Sequence, residues 1–293
     1  MKIKHSRSEN VFNVFNITIL TLFTIACLYP LLYVLFASFS QPSRFFTHYG
    51  ALWAPLGFSL ESFKAVFKNP NIAIGYKNTT FVLLIGTALN MILTIMGGYV
   101  ISRRYLMHRK LITFLVVFTM YFQGGTIPLY LIVQGLKITD TIWALIFPVA
   151  INTYNMIIMR TAFMSIPDEM EESATIDGAN QLRILVSVMV PLVGPTLAVL
   201  VLYYAVWHWN SFFNAMLFLR TRKLFPLQLI LRGILIESST SDMTSGAALD
   251  DVALIAETIK YAVIVVSTAP ILVLYPFLQR FFVKGVMIGA VKG

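Results

Sequence analysis

Residues 17–37 read ITILTLFTIACLYPLLYVLFA, an unbroken run without a charged side chain. A helix needs about 20 apolar residues to cross the hydrocarbon core of a membrane. The whole chain shares this character, because 58% of its 293 residues are hydrophobic, 12% are charged, and the mean hydropathy is +0.77. Soluble domains are about 25% charged. The composition therefore excludes a soluble enzyme, a disordered chain and a disulfide-built secreted module, and it predicts an all-α integral membrane protein.

Six segments are long and apolar enough to span a membrane. They cover about residues 11–39, 77–101, 111–133, 141–163, 184–207 and 260–283. The first segment follows Lys2, Lys4 and Arg7, as a cleaved signal would, but it contains Pro30 and exceeds the roughly 7–15 apolar residues of a signal core. We therefore predict six retained transmembrane helices. The single cysteine, Cys27, lies in the first of them, so no intramolecular disulfide is possible.

Basic residues predict the orientation of these spans, since Lys and Arg near a span favour the cytoplasmic side. They cluster in the tail 1–10, in the loop 102–110 and at the C-terminal end. With six spans these three regions share one side, so both termini are predicted to be cytoplasmic and the loops 40–76, 134–140 and 208–259 to face outward. The loop 208–259 also carries basic residues, but long loops cross the membrane largely regardless of charge. Basic helix ends near lipid explain the net charge of +9 without a nucleic acid partner.

The outward loops 40–76 and 208–259 are rich in aromatic residues and too long to be simple connections. The first suits short interfacial helices, and the second ends in a polar stretch, residues 237–251. Aromatic residues beside a membrane often anchor the chain at the interface. A docking surface for a protein outside the cell is the second interpretation, and the sequence leaves both open. The aromatic residues are Trp53, Phe63, Phe67, Trp209, Phe212 and Phe213.

The loop 164–183 has the pattern of a helix, a tight turn and a second helix. Pro167 suits a helix start, and acidic residues crowd the first turns, where the helix dipole favours negative charge. Asp177-Gly178 predicts the helix end, because glycine tolerates the left-handed conformation found there. A second helix is predicted from Ala179 through Val190 into Pro191. By itself this pattern also fits a solvated connecting helix.

The order of residues in this loop resembles the EAA motif of ABC importer permeases. Glu172, Ala174, Gly178 and Pro191 match the motif, while Ser173 replaces its first alanine. Valine stands at positions 188 and 190, where the family has isoleucine and leucine. The segments YFQGGTIP at 121–128 and FVKGVMIGAVKG at 282–293 are similar to those of maltose-type carbohydrate permeases. Within that group the chain most resembles the second, six-helix permease of oligosaccharide importers from Gram-positive bacteria.

The resemblance implies the MetI-like type I importer fold and a multi-pass protein of the bacterial inner membrane. It implies a heterodimer with a second permease, two ATP-binding subunits and an extracellular or periplasmic solute-binding protein that delivers an oligosaccharide. The loop 164–183 would be the coupling helix that docks on an ATPase, and residues 284–293 would reach between the ATPase subunits. The expected coupling residues are Glu172, Ser173, Ala174, Asp177, Gly178, Ala179 and Pro191.

The chain lacks recognisable catalytic motifs. No Gly-x-x-x-x-Gly-Lys-Ser/Thr sequence occurs, so we expect ATP and Mg²⁺ to bind to partner subunits and this chain to hold no cofactor. The four histidines are scattered over the tail and loops without a metal-binding pattern, and no metal site is predicted. The spans contain almost no ionisable residue, which argues against a secondary transporter of a small polar solute. A membrane anchor for an ATPase is a further alternative.

Several uncharged polar and aromatic residues lie within the predicted spans. Such side chains often form hydrogen bonds between helices. They can also line a path for sugar hydroxyls, and the glycine and proline residues nearby suit spans that bend during alternating access. The sequence does not decide between these roles. The candidate pathway residues are Asn90, Gln123, Asn152, Tyr154, Asn155, Tyr203 and Tyr204.

Overall fold

The structure, a computed structural model, describes residues 7–244, 257–273 and 275–276. In these ranges the regular structure is helical, and Ser40 and Phe58 form one isolated antiparallel bridge. The chain divides into two compact units, one from residues 1–69 and 231–269 and the other from residues 70–230 and 270–293. The predicted contact of residues 284–293 with ATPase subunits lies outside the described residues, as do the polar stretch 245–251 and the end of the sixth segment.

The first unit is built on the long helix α1 (Arg7–Ser38), which contains Pro30. The loop after it holds two short helices, α2 (Pro42–Phe46) and α3 (Glu61–Lys68), as the aromatic pattern predicted. Ala37, Phe45 and Leu52 form a small core there. The surface of α1 between residues 11 and 28 is exposed, which suits a helix surrounded by lipid or by another membrane protein.

The second unit contains α4 (Pro70–Ser102), an uninterrupted helix of 33 residues. Shorter helices follow it in this unit, and a shared core lies between α4 and the region 159–204. These helices are α5 (Arg109–Tyr121), α6 (Thr126–Gly135), α7 (Thr153–Met164), α8 (Asp168–Ile176), α9 (Gln181–Ile184), α10 (Val190–Leu192), α11 (Gly194–Asn210) and α12 (Phe213–Phe218). The helix α13 (Leu227–Thr244) begins in this unit and continues in the first unit from Leu231, and the helical residues 257–269 also belong to the first unit.

Three of the predicted spans are divided into helix pairs. The segment 111–133 forms α5 and α6, which are bent by 110°. The segment 141–163 begins with 3-10 turns, Ile142–Leu145 and Phe147–Val149, and continues at 49° as α7. The segment 184–207 bends by 88° between α10 and α11. In the described part of the chain, two helices are long and apolar enough to cross a membrane unbroken, and five do so if each bent pair counts as one span.

Glycine and proline account for these bends. Residues 122–125 leave the helical conformation, and Gly125 has a φ of +86°, which other residues rarely adopt. Pro148 lies in the 3-10 turn just before the second break, and Pro191 and Pro195 flank the third. Proline lacks the N–H that would continue a helix and clashes with the preceding turn. The sequence contained these signals, but a pattern of apolar residues alone does not show how far a span bends.

Polar side chains on α4 bind the backbone of neighbouring segments. Asn90 Nδ2 donates to the carbonyls of Val149 (2.6 Å) and Ala150 (2.8 Å), at the break before α7, and Asn90 Oδ1 accepts from His208 Nε2 (2.7 Å). Near the start of α4, Asn78 Nδ2 donates to the carbonyl of Lys223 (2.9 Å). These bonds satisfy main-chain groups that a broken helix leaves unpaired, which matters most where water is absent.

The environment of His208 differs from the sequence prediction. The sequence placed it in an outer loop, whereas the structure places it in α11 with 2% of its surface exposed. Its ring lies directly over Gly86 of α4: a Cβ atom at Gly86 would be 2.6 Å from His208 Cε1 and Nε2. The helix α11 therefore extends beyond the predicted apolar segment, which ended at residue 207. The hydrogen bond to Asn90 stabilises the His208 imidazole in its buried position.

Replacing Gly86 with alanine should therefore displace the imidazole and break its bond to Asn90. We expect Gly86→Ala to lower the free energy of unfolding by about 1–3 kcal/mol, the usual range for overpacking a filled site. Thermal unfolding of the purified protein in mild detergent measures this effect. Gly135→Ala is the matched control, since a Cβ there would meet no atom within 4 Å. Equal thermal stability of the two variants would contradict the described packing.

Candidate functional site

The loop 164–183 forms a short helix that ends in a defined turn. In α8, Asp168, Glu169 and Glu171 occupy the first turn, where the helix dipole stabilises negative charge. At the other end, Gly178 N–H donates to the Thr175 carbonyl and Ala179 N–H to the Ala174 carbonyl, both at 3.0 Å. This is a Schellman motif, and Gly178 at its left-handed position has a φ of +80°. The predicted helix end at Asp177-Gly178 is confirmed.

The second helix begins two residues later than predicted. Asn180 Oδ1 accepts a hydrogen bond from Arg183 N–H (2.9 Å) and caps α9, so helical structure starts at Gln181 rather than Ala179. After α9, residues 185–189 form a wider π-helical turn that leads to Pro191 in α10. An N-cap residue lies outside the helix that it caps, so with Asn180 as the cap the helix can begin only at Gln181.

The structure gives the predicted coupling residues two environments. Ala174 and Ala179 are half-buried and pack against the core shared by α4, α7 and α9–α11. The remaining residues have exposed side chains, and a Cβ atom added at Gly178 would meet no atom within 4 Å. One face of the loop thus holds it to the chain, and the other is open to contact. The exposed residues are Glu172, Ser173, Asp177, Gly178 and Pro191.

Glu171, rather than Glu172, faces the rest of the chain. Its carboxylate forms a salt bridge with the Arg103 guanidinium, just after the end of α4. The two side chains are nearly buried, with 14% and 8% of their surfaces exposed. Arg103 also donates from Nε to Ser102 Oγ (2.9 Å) and lies over the Tyr99 ring, with its Cζ 4.6 Å from the ring centre. A buried ion pair needs such additional contacts to offset its lost hydration.

Two tyrosines extend this set of contacts to α9. The Tyr99 hydroxyl lies 2.7 Å from Gln181 Oε1 and 3.2 Å from Glu171 Oε1, so its one proton can be donated to either. The Tyr105 hydroxyl lies 3.1 Å from the same Gln181 oxygen. Partial burial and the nearby Glu171 carboxylate raise the pKa of Tyr105, which keeps it protonated as a donor. We call Glu171, Arg103, Tyr99, Tyr105 and Gln181 the Glu171 network.

Sequence reasoning missed the role of this network. Arg103 was counted only as a basic residue that sets membrane orientation, and Glu171 only as one acid in a helix start. The sequence did place Arg103 directly after a long apolar segment and an acidic helix in another loop on the same predicted side of the membrane. These two features could have suggested an ion pair. Spacing along the chain could not show the pairing, because 68 residues separate the partners. The network borders a cleft of about 770 Å³ that is also lined by Glu172, Thr175 and Ile176.

The candidate pathway residues do not form one continuous surface. Asn90 and Tyr204 are buried and bind other helices, with the Tyr204 hydroxyl 2.7 Å from Thr94 Oγ1. Asn152 caps α7, and its Oδ1 accepts from the N–H of Asn155, whose side chain is buried. Asn90 and Tyr204 thus form contacts between segments, whereas Asn152 is exposed and caps its own helix. The side chains of Gln123 and Tyr154 are exposed.

Tyr203, another of the candidates, lines a cavity. This cavity has a volume of about 750 Å³ and lies at the end of α11 and in the turn that follows. Aromatic rings and amide side chains surround it together, a combination that can stack on a sugar ring and hydrogen bond to its hydroxyls. The sequence had assigned some of these residues to an interfacial loop. Its lining includes Tyr203, Trp207, Asn210, Phe212, Phe213 and Asn214.

The turn at residues 219–225 displays three exposed basic side chains on a fixed backbone. Asp140 Oδ1 accepts from the N–H groups of Arg220 and Thr221 (both 2.8 Å), and its Oδ2 accepts from the Thr221 hydroxyl (2.6 Å). Asn78 holds the other side of the turn. The side chains of Arg220, Arg222 and Lys223 are exposed. This turn therefore presents positive charge in a defined position.

Within residues 7–244, 257–273 and 275–276, no group of three His, Cys, Asp or Glu side chains is placed to hold a metal ion. The contacts of the described part therefore supply packing, docking surfaces and a cavity.

Comparison with known proteins identifies the family. No protein-family profile matches the chain. The chain is 42% identical over 269 residues to the polygalacturonan/rhamnogalacturonan transport system permease protein YtcP of Bacillus subtilis (strain 168), covering 90% of this chain and 92% of that protein. A chain of a bacterial ABC transporter involved in the import of the acidic polysaccharide alginate is 31% identical, with a TM-score of 0.86, and 95% of this chain and 99% of that chain are covered.

A second solved structure shows the same fold. It is a bacterial alginate ABC transporter in complex with an alginate pentasaccharide-bound periplasmic protein, and one of its chains has a TM-score of 0.60 at 16% identity, covering 94% of both chains. The helical architecture is thus that of ABC importer permeases. The chain belongs to the family of carbohydrate ABC transporter permeases, and it is a membrane protein, as its composition predicted.

Hydrogen bonds from Thr221 and Arg220 lower the pKa of Asp140 below its ordinary value of 3.8. The ionised carboxylate therefore stabilises the turn fully above that ordinary value, and the contribution is lost as the pH falls through the lowered pKa. We expect Asp140→Asn to accelerate hydrogen exchange at the amides of Arg220 and Thr221 at neutral pH and to remove the acid-induced change. Identical exchange rates in both proteins at neutral pH would contradict the role of Asp140.

Proposed function

We propose that this chain is the permease subunit of an ATP-driven, binding-protein-dependent importer, and that its loop 164–183 is the coupling element. The observation that carries this proposal is the exposed surface of Glu172, Ser173, Asp177 and Gly178 on a helix that ends in a fixed turn. The family assignment supports it, since relatives are transport permeases. ATP hydrolysis then belongs to partner subunits, and this chain binds neither ATP nor Mg²⁺.

The proposed topology has six transmembrane segments with both termini in the cytoplasm. Each bent helix pair counts as one span, and the segment 260–283 is the sixth. The tail 1–10, the loop 102–110 and the coupling loop 164–183 lie on the cytoplasmic side, while the loops 40–76 and 208–259 face outward. The coupling loop and the basic turn at residues 219–225 then lie on opposite sides of the membrane.

The proposed partners are a second permease, two ATP-binding subunits and an extracellular or periplasmic solute-binding protein. The exposed apolar face of α1 suits contact with lipid or with the second permease. The solved alginate transporter with its loaded periplasmic protein is the precedent for the solute-binding protein. The mechanism follows differential binding: ATP binding brings the ATPase subunits together, the coupling loop moves with them, and the pathway opens outward.

The proposed substrate is an oligosaccharide derived from an acidic polysaccharide. Two similar proteins are a polygalacturonan/rhamnogalacturonan transport permease and a chain of an alginate importer. In this chain the cavity beside Tyr203 offers rings and amides for a sugar, and Arg220, Arg222 and Lys223 offer positive charge on the proposed outer side. Opposite charges attract an acidic solute over a range of about 10 Å at moderate salt. Membership of the family excludes a secondary transporter, and the cavity argues against a mere ATPase anchor.

Gly178→Pro should abolish transport while the protein still inserts into the membrane. Proline requires a φ near −65°, whereas Gly178 has +80°, and proline also lacks the N–H that bonds to Thr175. Uptake of radiolabelled trigalacturonate by cells, normalised to the amount of inserted protein, measures this effect. Gly178→Asn is the matched control, because asparagine tolerates the left-handed conformation, and it should retain most of the uptake. Normal uptake by the proline variant would refute the coupling assignment.

Tyr203→Ala separates a transport pathway from a simple membrane anchor. We expect kcat/KM for trigalacturonate uptake to fall about tenfold, equivalent to about 1.4 kcal/mol, while ATPase subunits still co-purify. Tyr121→Ala is the control, since Tyr121 is an exposed tyrosine outside the residues lining this cavity. If both variants transport equally, Tyr203 has no part in the pathway.

A further inference from the structure

The Glu171 network joins the proposed coupling helix to a helix that is remote from it in sequence. Along the chain, the loop 164–183 is preceded by α7 and followed by the π-helical turn at residues 185–189. Through Glu171 and Gln181 it also contacts Tyr99, in the last turn of α4, and Arg103, directly after it. The ends of α4, α8 and α9 therefore meet at one point.

We propose that Arg103 and Glu171 are positioning residues that transmit the movement of the coupling helix to α4, so that the ATPase-driven movement enters the membrane through the second span. This inference rests on the proposed function. It assigns different tasks to two adjacent acids: Glu172 faces the open side of α8, toward a docking partner, while Glu171 holds α8 to α4. Successive residues of a helix point about 100° apart, which allows this division.

The burial of the ion pair makes it a strong mechanical connection. An exposed ion pair is screened by water and contributes little, whereas a nearly buried pair cannot separate without leaving a charge poorly hydrated. Arg104 and Asp168 show the contrast, since they form a pair at 3.2 Å with 80% and 50% of their side chains exposed. Of these two contacts between the loop 102–110 and α8, only the Glu171 pair is protected from solvent.

Contacts along α4 explain why this helix suits the task. From Tyr99 to Asn78 an α-helix rises about 32 Å, close to the thickness of the hydrocarbon core. Over this length α4 is uninterrupted, while the neighbouring segments are broken. Thr94 contacts Tyr204 of α11, Asn90 binds the break before α7, and Asn78 binds the basic turn. A displacement of α4 at the Glu171 network thus reaches each of these places.

The test uses the complete transporter in liposomes, with both permeases, the ATPase subunits and the solute-binding protein loaded with trigalacturonate. The quantity measured is the number of trigalacturonate molecules imported per ATP hydrolysed. For Glu171→Gln we expect this ratio to fall about tenfold, a coupling change of about 1.4 kcal/mol, while basal ATP hydrolysis and subunit co-purification are retained. Tyr99→Phe, which keeps the ring and loses the hydroxyl, should lower the ratio less.

Two further variants make the result specific. Arg104→Gln breaks the exposed pair between Arg104 and Asp168 and should leave the ratio unchanged. The double exchange of Arg103→Glu with Glu171→Arg should restore part of the ratio lost in Glu171→Gln, which an effect independent of the pairing of these two side chains would not do. Glu171→Gln could fail to assemble with the other subunits, and the double exchange then decides. If the double variant assembles and its import per ATP recovers, the proposal is supported. If the double variant assembles but its import per ATP stays low, the proposal is overturned.

The outcomes also separate this inference from the proposed function. If the unaltered transporter imports no sugar on ATP hydrolysis, the proposed function fails. If it imports sugar, and Glu171→Gln and Tyr99→Phe do so with the same ratio, the proposed function stands and the role of α4 is refuted.

Discussion

The main-chain groups at breaks in neighbouring helices need hydrogen-bond partners, and α4 supplies them. In a hydrocarbon environment each unsatisfied backbone group costs several kcal/mol. The carbonyls of Val149 and Ala150 would be such groups, and the Asn90 amide binds both. Near the start of α4, Thr79 Oγ1 accepts from the N–H of Leu227, where α13 begins (2.8 Å). A straight helix with polar side chains at these positions thus satisfies main-chain groups at the break before α7 and at the start of α13.

The same helix contributes to both regions that carry functional features. Its end meets the loop 164–183 through the Glu171 network, and its start holds the basic turn. Between them Gly98 permits close packing, since a Cβ atom there would be 2.8 Å from Met159 Cγ of α7. A permease must couple events at one membrane face to a pathway through the membrane. An uninterrupted helix with contacts at both ends and in the middle has the geometry for that coupling.

The sequence predicted the membrane class, the helical fold, the helix end at Gly178 and the family, because each depends on local pattern. Apolar runs mark spans, and a left-handed turn requires glycine. What it did not predict depends on contacts between distant residues. The pairing of Glu171 with Arg103, the burial of His208 against Gly86, and the bend angles of the helix pairs are decided by packing. The partners of the Asn90 and Tyr204 side chains are decided in the same way.

The central claim is that the coupling helix and α4 move together, and spin-label distances test it most directly. Labels at Ile176 on α8 and Met107 beyond α4, both highly exposed, would be placed in the complete transporter after replacing Cys27 by serine. In the transporter with Glu171 intact, the account predicts the same distance between the two labels in the nucleotide-free and ATP-bound states. In the Glu171→Gln variant it predicts that this distance changes between the two states. A distance that changes between states in the unaltered network, or that stays fixed in Glu171→Gln, would contradict it.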